Sequence, residues 1–324
     1  MSMEGYPLIS EVRYDNPTSC VNKPERCVSD NSKTLAVLCT YIPEGLVSQY
    51  VSKSHKGSPE PQYFHNRLEC LKFVLACYYH FDAGASYDLV IIDNDSLSKR
   101  LFDYFRSLDI AIMQRENTYY SFGAYKDAWD YFKGDYDYFI FHEMDWMPCR
   151  HDWLQMLIDL WNSDSEIGMI GNLIESREWS DSPQNSDDHA SNMFIEAINP
   201  DRLLQHNLDS EYLFVDKHVL TLMDQTGWQL FKCLPEIPVS PAYNELVFQQ
   251  PVLEMGYKLR CFNDGRHTMF YGAHNQDFPS QWNHGTENLT PFIPEQARLF
   301  MPEFRSYFDF YDHSIYNSLV KELR

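Results

Sequence analysis

The sequence predicts an α/β fold in which a mixed, mostly parallel sheet is flanked by helices. Short apolar runs, which are typical of buried strands, alternate along the chain with segments whose apolar residues recur at helical spacing. The chain has 324 residues, a length that is common for one large α/β domain. Hydrophobic residues make up 44% and charged residues 23%, proportions that are typical of a soluble globular protein.

The alternation is clearest in the first half of the chain. Apolar runs predict strands at 33–41, 87–93, 110–113, 136–142 and 167–171. Helical spacing predicts helices at 65–81, 97–108, 122–132 and 153–161. Ser96 is the expected cap of the helix at 97–108. Because strands that alternate with helices pair through right-handed crossovers, these strands are expected to lie parallel.

The second half carries weaker signals. Strands are expected at 212–215, 257–262 and 268–271, and a helix at 244–255 that ends at Gly256. The polar segment 178–192 is expected to be a mobile loop or lid. The expected organisation is an irregular arm (1–32), two halves of one domain (33–150 and 151–293) and a helical tail (294–324).

Charge and cysteine usage narrow the range of partners. The chain has 26 Lys and Arg against 47 Asp and Glu, a net charge of -21. Such a surface repels phosphate backbones and anionic membranes, so a nucleic-acid partner is not expected. No apolar run is long enough for a membrane span. The start lacks a signal-peptide pattern, and the 8 cysteines form no Cys-x-x-Cys pair, so a reducing, cytoplasmic location is expected.

Two acids follow the predicted strand at 136–142. They are Glu143 and Asp145. Ligands of open α/β sheets bind beyond the carboxyl ends of strands, and two carboxylates spaced i, i+2 can face one point if the backbone turns there. A hard cation such as Mn²⁺ or Mg²⁺ prefers oxygen ligands of this kind. The alternative is a pair of solvated acids after a strand.

The residues around these acids form an ordered series. They are Asn117, Gly123, Ala124, Gly134, Asp135, Asp145 and Pro148. In this order they resemble the family 2 glycosyltransferases of the GT-A fold. In that family an Asn-x-Gly-like turn leads to a helix, and a Gly-Asp-Tyr step leads to a strand that ends in an Asp-x-Asp metal motif. The resemblance implies a Rossmann-like GT-A sheet and a glycosyltransferase that uses a nucleotide-sugar donor.

The ends of the first two strands resemble the nucleotide site of the same family. The segment 91–96 is similar to a turn that reads Asp-Asp-Gly-Ser in many members and that contacts the nucleobase and ribose. The resemblance implies that Thr40, Asp93 and Asn94 have those roles, and Asn117 and Lys126 are assigned to the same site. For Asp93 the alternative is turn and helix-cap chemistry.

The segment 244–257 resembles the family's acidic pair that opens a helix ending in Gly-Tyr. The second acid of that pair is the general base, which implies this role for Glu245; stabilisation of the helix dipole is the alternative. Some members use a late histidine as a metal ligand, and His274 is the preferred candidate over His267. The sequence departs from the family in having Glu143 for the first Asp of the metal motif, Asn244 for the first acid of the pair, and Glu245 for an Asp.

The resemblance implies an inverting transfer that depends on a divalent metal. A UDP-sugar is the default donor, and a glycan or another hydroxyl compound is the acceptor. One rival is a sugar nucleotidyltransferase, which usually needs a Gly-rich basic loop; residues 42–46 contain no Lys or Arg. The other rival is a nucleotide-sugar or glycan-binding protein that keeps the scaffold without catalysis.

Overall fold

The protein is described here by a computed structural model. It covers residues 11–12, 32–42, 67–96, 99–144, 146–148, 151–171, 174–176, 206–208, 212–226, 228, 240–262 and 270–272.

Strands and helices alternate through the first half, as the sequence predicts. The strands are β1 (Glu11–Val12), β2 (Thr34–Thr40), β3 (Tyr87–Asn94), β4 (Ala111–Arg115), β5 (Tyr138–Glu143), β6 (Trp146–Pro148), β7 (Ile167–Gly171), β8 (Ile174–Ser176), β9 (His206–Leu208), β10 (Tyr212–Asp216), β11 (Lys258–Cys261) and β12 (Phe270–Gly272). The helices are α1 (Arg67–His80), α2 (Lys99–Phe105), α3 (Tyr120–Phe132), α4 (Trp153–Asn162), α5 (Lys217–Thr226) and α6 (Ser240–Glu254).

The main sheet has 8 strands in the order β1-β11-β7-β10-β5-β2-β3-β4. Strand β2 pairs in parallel with β3 on one side and β5 on the other, and β3 pairs in parallel with β4. Strand β10 is antiparallel to both β5 and β7, whereas β11 is parallel to β7. Strands β2, β3, β4, β5, β7 and β11 therefore point the same way. The predicted fold class, a mixed and mostly parallel sheet flanked by helices, is confirmed.

Helices cover both faces of this sheet. Every residue of β2, β7 and β10 is buried, which explains why these strands appear in the sequence as continuous apolar runs. On one face the Tyr78 ring of α1 meets Trp153 of α4, with ring centroids 5.5 Å apart. On the other face Tyr125 of α3 stacks on Phe141 at 4.9 Å, and Phe248 of α6 packs against the same ring.

Some boundaries differ from those that the sequence predicts. Helix α6 begins at Ser240, four residues before the expected start, because Pro241 suits the first turn of a helix rather than ending one. Helix α5 and strand β6 were not predicted, and helix α2 is shorter than expected. Within the expected N-terminal arm, Glu11–Val12 pair with β11 at the sheet edge.

Several expectations fall on other parts of the chain. The remainder of the arm, the segment 178–192 and the tail 294–324 lie outside the described residues. In the described part of the chain, none of the helices combines the length and the apolar character that a membrane crossing requires.

Gly168 in β7 provides a test of the packing between the sheet and α6. A Cβ atom at this position would lie 2.5 Å from Cγ1 of Val252 and 2.5 Å from Cβ of Tyr257. Gly168→Ala is therefore expected to lower the free energy of unfolding by about 1–3 kcal/mol, the usual cost of overpacking. Urea unfolding measures the change.

Gly134→Ala is the matched control, because a Cβ atom at Gly134 has nothing within 4 Å. Its free energy of unfolding is expected to stay within about 0.5 kcal/mol of the wild-type value. Equal stability of the two variants would contradict the close contact of α6 with β7.

Candidate active site

Three parallel strands end at one edge of the sheet, which we call the carboxyl edge. In the ladder of β2, Thr40 lies opposite Asp93 of β3, and Cys39 lies opposite Glu143 of β5. Helix α3 precedes β5, so its first residues return to the same edge. This edge thus brings together Thr40, Asp93 and Glu143, three residues that the sequence assigns to nucleotide and metal binding.

Asp93 links the end of β2 to the turn after β3. Its Oδ1 accepts a hydrogen bond from Oγ1 of Thr40 at 2.9 Å, and its Oδ2 accepts one from the backbone N–H of Ser96 at 3.0 Å. The Asp93 side chain is buried. Burial raises the pKa of its carboxyl group, and the hydrogen bonds from Ser96 and Thr40 oppose that rise. The structure therefore shows the turn role of Asp93, and contact with a nucleotide stays a prediction.

Ser96, the expected cap of α2, links two strand ends. Its Oγ accepts a hydrogen bond from the backbone N–H of Ile42 at 2.8 Å. This bond ties the chain that leaves β2 to the turn that leaves β3. Residues 97–98, which join Ser96 to Lys99 in α2, lie outside the described residues, so the capping role stays a prediction.

The turn after β3 contains a residue in a conformation that favours glycine. Asp95 has a φ of 60°, in the left-handed region that Asp tolerates better than most residues. The family turn that the segment 91–96 resembles has Gly at this position. The left-handed conformation of Asp95 thus turns the chain directly after β3.

Arg115 at the end of β4 organises the neighbouring polar groups, and the sequence analysis did not assign it to the site. Its Nη1 donates to Oδ1 of Asn94 at 2.8 Å, and its Nε donates to Oδ2 of Asp127 at 2.6 Å. Nδ2 of Asn94 in turn donates to the carbonyl of Tyr120 at 3.0 Å. A Cβ atom at Gly123 would lie 2.4 Å from Nη2 of Arg115, so glycine makes room for the guanidinium group.

Glu143 ends β5 and is half-buried. Ser121, in the first turn of α3, donates from Oγ to Oε1 of Glu143 at 2.8 Å. This hydrogen bond holds the carboxylate at the carboxyl edge, where its oxygens are hard ligands of the kind that Mn²⁺ and Mg²⁺ prefer. Asp145 and His274, the other expected ligands, lie outside the described residues. Among the described residues, no three His, Cys, Asp or Glu side chains gather into a metal site.

His142, the residue before Glu143, connects the end of β5 to α1 through its two ring nitrogens. Nδ1 of His142 lies 3.1 Å from the backbone carbonyl of Glu143, and Nε2 lies 2.9 Å from the hydroxyl of Tyr78. Because a carbonyl only accepts, Nδ1 carries a proton, and Nε2 of a neutral imidazole then accepts from the hydroxyl of Tyr78. Burial raises the pKa of Tyr78 well above its ordinary value, so the phenol remains a donor. The buried pair therefore anchors the backbone that carries Glu143.

The two other residues assigned to the nucleotide site are found in different surroundings. Oδ1 of Asn117 is buried and has no hydrogen-bond partner within the described part of the chain, so a ligand that donates a hydrogen bond would satisfy it. Lys126 lies farther along α3. Its Nζ pairs with Asp130, lies 3.6 Å from Oδ1 of Asp224, and lies 5.4 Å from the centre of the Trp228 ring. These contacts of Lys126 thus connect α3 to α5.

Glu245 is the sixth residue of α6, which places it in the second turn and not in the first turn that the sequence analysis expected. Helix α6 precedes β11, and β11 is parallel to β7. A helix that leads into a parallel strand runs back along the sheet, so the first turns of α6 lie towards the carboxyl edge. The backbone of Glu245 therefore lies in the part of α6 that is directed towards the carboxyl edge, and its role as a base stays a prediction.

Comparisons with known proteins find similar solved structures but no matching family model or curated protein. Among solved structures, TarS 1-349 of S. aureus is 12% identical over 87% of this chain and 73% of its own, with a TM-score of 0.41. A mannosyltransferase from Pyrobaculum calidifontis, in complex with GDP-Man and Mn²⁺, is 11% identical over 89% and 73%, with a TM-score of 0.40.

A third structure is of a different kind. It is a CMP:2-keto-3-deoxy-manno-octonic acid synthetase complexed with CTP, 13% identical over 71% of this chain and 89% of its own, with a TM-score of 0.39. Similarities of this size are too weak to assign an activity.

The buried carboxyl group of Asp93 predicts a pH dependence of stability. Because burial raises its pKa above the ordinary value of 3.8, the folded state holds this proton more tightly than the unfolded chain does. Below the ordinary pKa, the protonated carboxyl group therefore makes its full contribution to the free energy of unfolding. This contribution is lost as pH rises through the raised pKa.

The measurement is urea unfolding of the wild type and of Asp93→Asn between about pH 3 and pH 7. We subtract the free energy of unfolding of the variant from that of the wild type, so that the contributions of the other titrating groups cancel. This difference is expected to fall as pH rises. A difference that rises with pH would mean that the folded state favours the charged carboxylate.

Proposed function

We propose that this protein is a metal-dependent glycosyltransferase that moves a sugar from a nucleoside-diphosphate donor to an acceptor hydroxyl group. The observation that supports this most directly is the carboxyl edge. There the turn held by Asp93 and the carboxylate of Glu143, which Ser121 orients, lie on either side of the end of β2, and the first turns of α6 are directed towards the same edge. A donor site, a metal ligand and a candidate base would then face one cleft.

The donor half of the site is proposed to lie over the ends of β2 and β3. Thr40, Asp93 and Asn94 are proposed to hold the nucleoside. The network that joins Arg115, Asn94 and Tyr120 keeps this edge in one arrangement before any ligand arrives. Binding then loses little free energy to ordering of side chains. The buried Oδ1 of Asn117 is a suitable acceptor for a hydroxyl or amino group of the donor.

The metal half of the site is proposed to lie beyond β5. Glu143, with Asp145 and His274, would hold Mn²⁺ or Mg²⁺, which stabilises the charge of the departing diphosphate when it is bound. The chain carries a net charge of -21, so a diphosphate needs local neutralisation to approach this edge. The bond from Ser121 holds Glu143 at the carboxyl edge.

Glu245 is proposed as the general base. A carboxylate near the first turns of α6 can remove the proton of the acceptor hydroxyl as its oxygen attacks the anomeric carbon. Attack from the face opposite to the leaving diphosphate gives inversion. A UDP-sugar and a glycan acceptor remain the default substrates of the proposal.

The first experiment is a thermal-shift screen of nucleotide sugars with Mn²⁺, followed by assays of nucleoside diphosphate release. A bound donor at about 100 times its Kd adds roughly 2.7 kcal/mol to stability and raises Tm. Slow, Mn²⁺-dependent release of nucleoside diphosphate supports a transferase. Binding without release or transfer indicates the non-catalytic rival. Pyrophosphate formation from a nucleoside triphosphate and a sugar phosphate indicates the nucleotidyltransferase.

Removing a metal ligand should reduce metal-dependent chemistry. Glu143→Gln and Asp145→Asn are each expected to lower Mn²⁺-stimulated release of nucleoside diphosphate by at least about tenfold, an effect typical of disturbed metal sites. Titration with Mn²⁺ should show a weaker apparent affinity. Glu254→Gln is the matched control, because Glu254 also accepts a side-chain hydrogen bond, from Gln250 at 2.8 Å. Full metal-dependent activity in Asp145→Asn would overturn the metal assignment.

Removing the proposed base should affect the transfer step more than donor binding. Glu245→Gln is expected to lower kcat for transfer by about 10²–10⁴, with little change in the KM for the donor. The acidic limb of the pH–rate profile should disappear, because a glutamine side chain does not titrate. Glu254→Gln, in the last turn of the same helix, should keep both the rate and the limb. A Glu245→Gln enzyme with an unchanged pH profile would exclude Glu245 as the base.

A further inference from the structure

A cavity of about 410 Å³ lies at the other end of the sheet. Its walls include Leu35 near the start of β2, residues 87–90 at the start of β3, and Ile110 and Ala111 at the start of β4. We call this end the amino edge. Strand β3 has eight residues, so the cavity lies roughly 20 Å from the turn after β3. The volume is within the range of about 300–1,000 Å³ that small-molecule sites occupy.

Aromatic rings form much of the wall of this amino-edge cavity. They are Tyr78, Tyr79, Tyr87, Phe132 and Tyr136. Tyr79 is 69% exposed although its ring is large and largely apolar. Phe132 and Tyr136 meet edge to face, with centroids 6.0 Å apart. The faces of such rings carry partial negative charge and attract cations.

Two carboxylates line the same cavity. Oδ2 of Asp88 accepts a hydrogen bond from the hydroxyl of Tyr136 at 2.8 Å. The other oxygen of Asp88 and the carboxylate of Asp109 have no hydrogen-bond or ion-pair partner among the described residues. None of the described residues that line the cavity is a Lys or an Arg. The cavity therefore combines ring faces with the negative charge of Asp88 and Asp109, two exposed carboxylates that have no basic partner among the described lining residues.

The hydroxyl groups of two cavity-lining phenols are already used as donors. Tyr136 donates to Asp88, and Tyr87 donates to the backbone carbonyl of Tyr78 at 3.1 Å. Burial raises the pKa of Tyr87 and of Tyr136 to about 12, so both remain neutral donors. The cavity thus presents carboxylate acceptors and ring faces. A sugar hydroxyl both donates and accepts hydrogen bonds, whereas an ammonium group only donates.

We propose that the amino-edge cavity binds the ammonium group of a small organic cation. The ammonium pairs with Asp88 and Asp109, and the organic part packs against the rings of Tyr79 and Tyr136. The cavity is large enough to hold an organic group in addition to the ammonium group. This site is separate from the carboxyl edge, and its ligand is independent of the proposed transfer reaction.

The test uses the full chain with n-butylammonium as the probe and 1-butanol as its neutral counterpart. Saturation-transfer NMR detects contact, and isothermal titration calorimetry gives the affinity. We expect saturable binding of n-butylammonium, with 1-butanol binding at least about tenfold more weakly, because it lacks the charge that ring faces and carboxylates attract. Equal binding of 1-butanol, or tighter binding of glucose, would overturn the proposal in favour of an apolar or a sugar site.

The double variant Asp88→Asn, Asp109→Asn removes both charges and conserves the side-chain shapes. The amide oxygen of an asparagine at position 88 still accepts from Tyr136, so the fold is expected to persist, which an unchanged Tm confirms. Affinity for n-butylammonium should fall by about two- to thirtyfold, the loss expected from removing two exposed ion pairs. Asp159→Asn is the matched control, because Asp159 is an exposed acid on α4 that accepts from Gln155 at 2.8 Å. Wild-type affinity in the double variant would refute the site.

Discussion

The parallel pairing of β2 with β3 on one side and β5 on the other is the constraint on which the rest of the structure depends. All seven residues of β2 are buried, so its register is set by packing on both faces. That register places Thr40 opposite Asp93 and Cys39 opposite Glu143. A slip of one residue would turn each side chain to the other face of the sheet. The candidate active site is therefore a consequence of strand pairing.

Buried polar groups at the carboxyl edge are accommodated by partners from the same edge. Asp93 accepts from Thr40 and Ser96, Asn94 accepts from Arg115, and His142 joins Tyr78 to the end of β5. Without these partners, each group would cost free energy on burial. The hydrogen bonds also hold the strand ends in one arrangement. A ligand that binds there meets a site whose polar groups are already oriented.

The two ends of the parallel sheet have different chemistry. At the carboxyl edge, Asp93 and Glu143 accept hydrogen bonds from hydroxyl and backbone N–H groups, and the guanidinium group of Arg115 pairs with Asn94 and Asp127. At the amino edge, Asp88 and Asp109 lie among aromatic rings with no basic residue among the described lining residues. Because parallel strands all start at one edge and end at the other, a ligand at either end contacts residues from several strands. The two ends of the sheet thus differ in the side chains that they expose.

Local patterns were enough to predict β2, β3, β5 and β7 within about two residues, because strands buried on both faces need continuous apolar runs. The carboxylate at the end of β5 was also predictable, since it follows such a run directly. The start of α6 and the whole of α5 were not predicted. Pro241 suits a first turn, and Asp216 caps α5 by accepting from the backbone N–H of Val219 at 2.7 Å. Both are local features of the sequence, but a single proline or capping residue indicates a helix start less strongly than a periodic apolar pattern indicates a helix.

The sequence by itself determined the order of strands and helices and the residue types at the strand ends. Only the tertiary structure decided which of those residues meet. Arg115 contacts Asn94, 21 residues away, and Lys133 contacts Asp224, 91 residues away. Nζ of Lys126 likewise lies 3.6 Å from Oδ1 of Asp224. The periodicity of apolar residues indicates which residues of a segment are buried. The partners of a side chain depend on strand order and helix packing, which bring together distant parts of the chain.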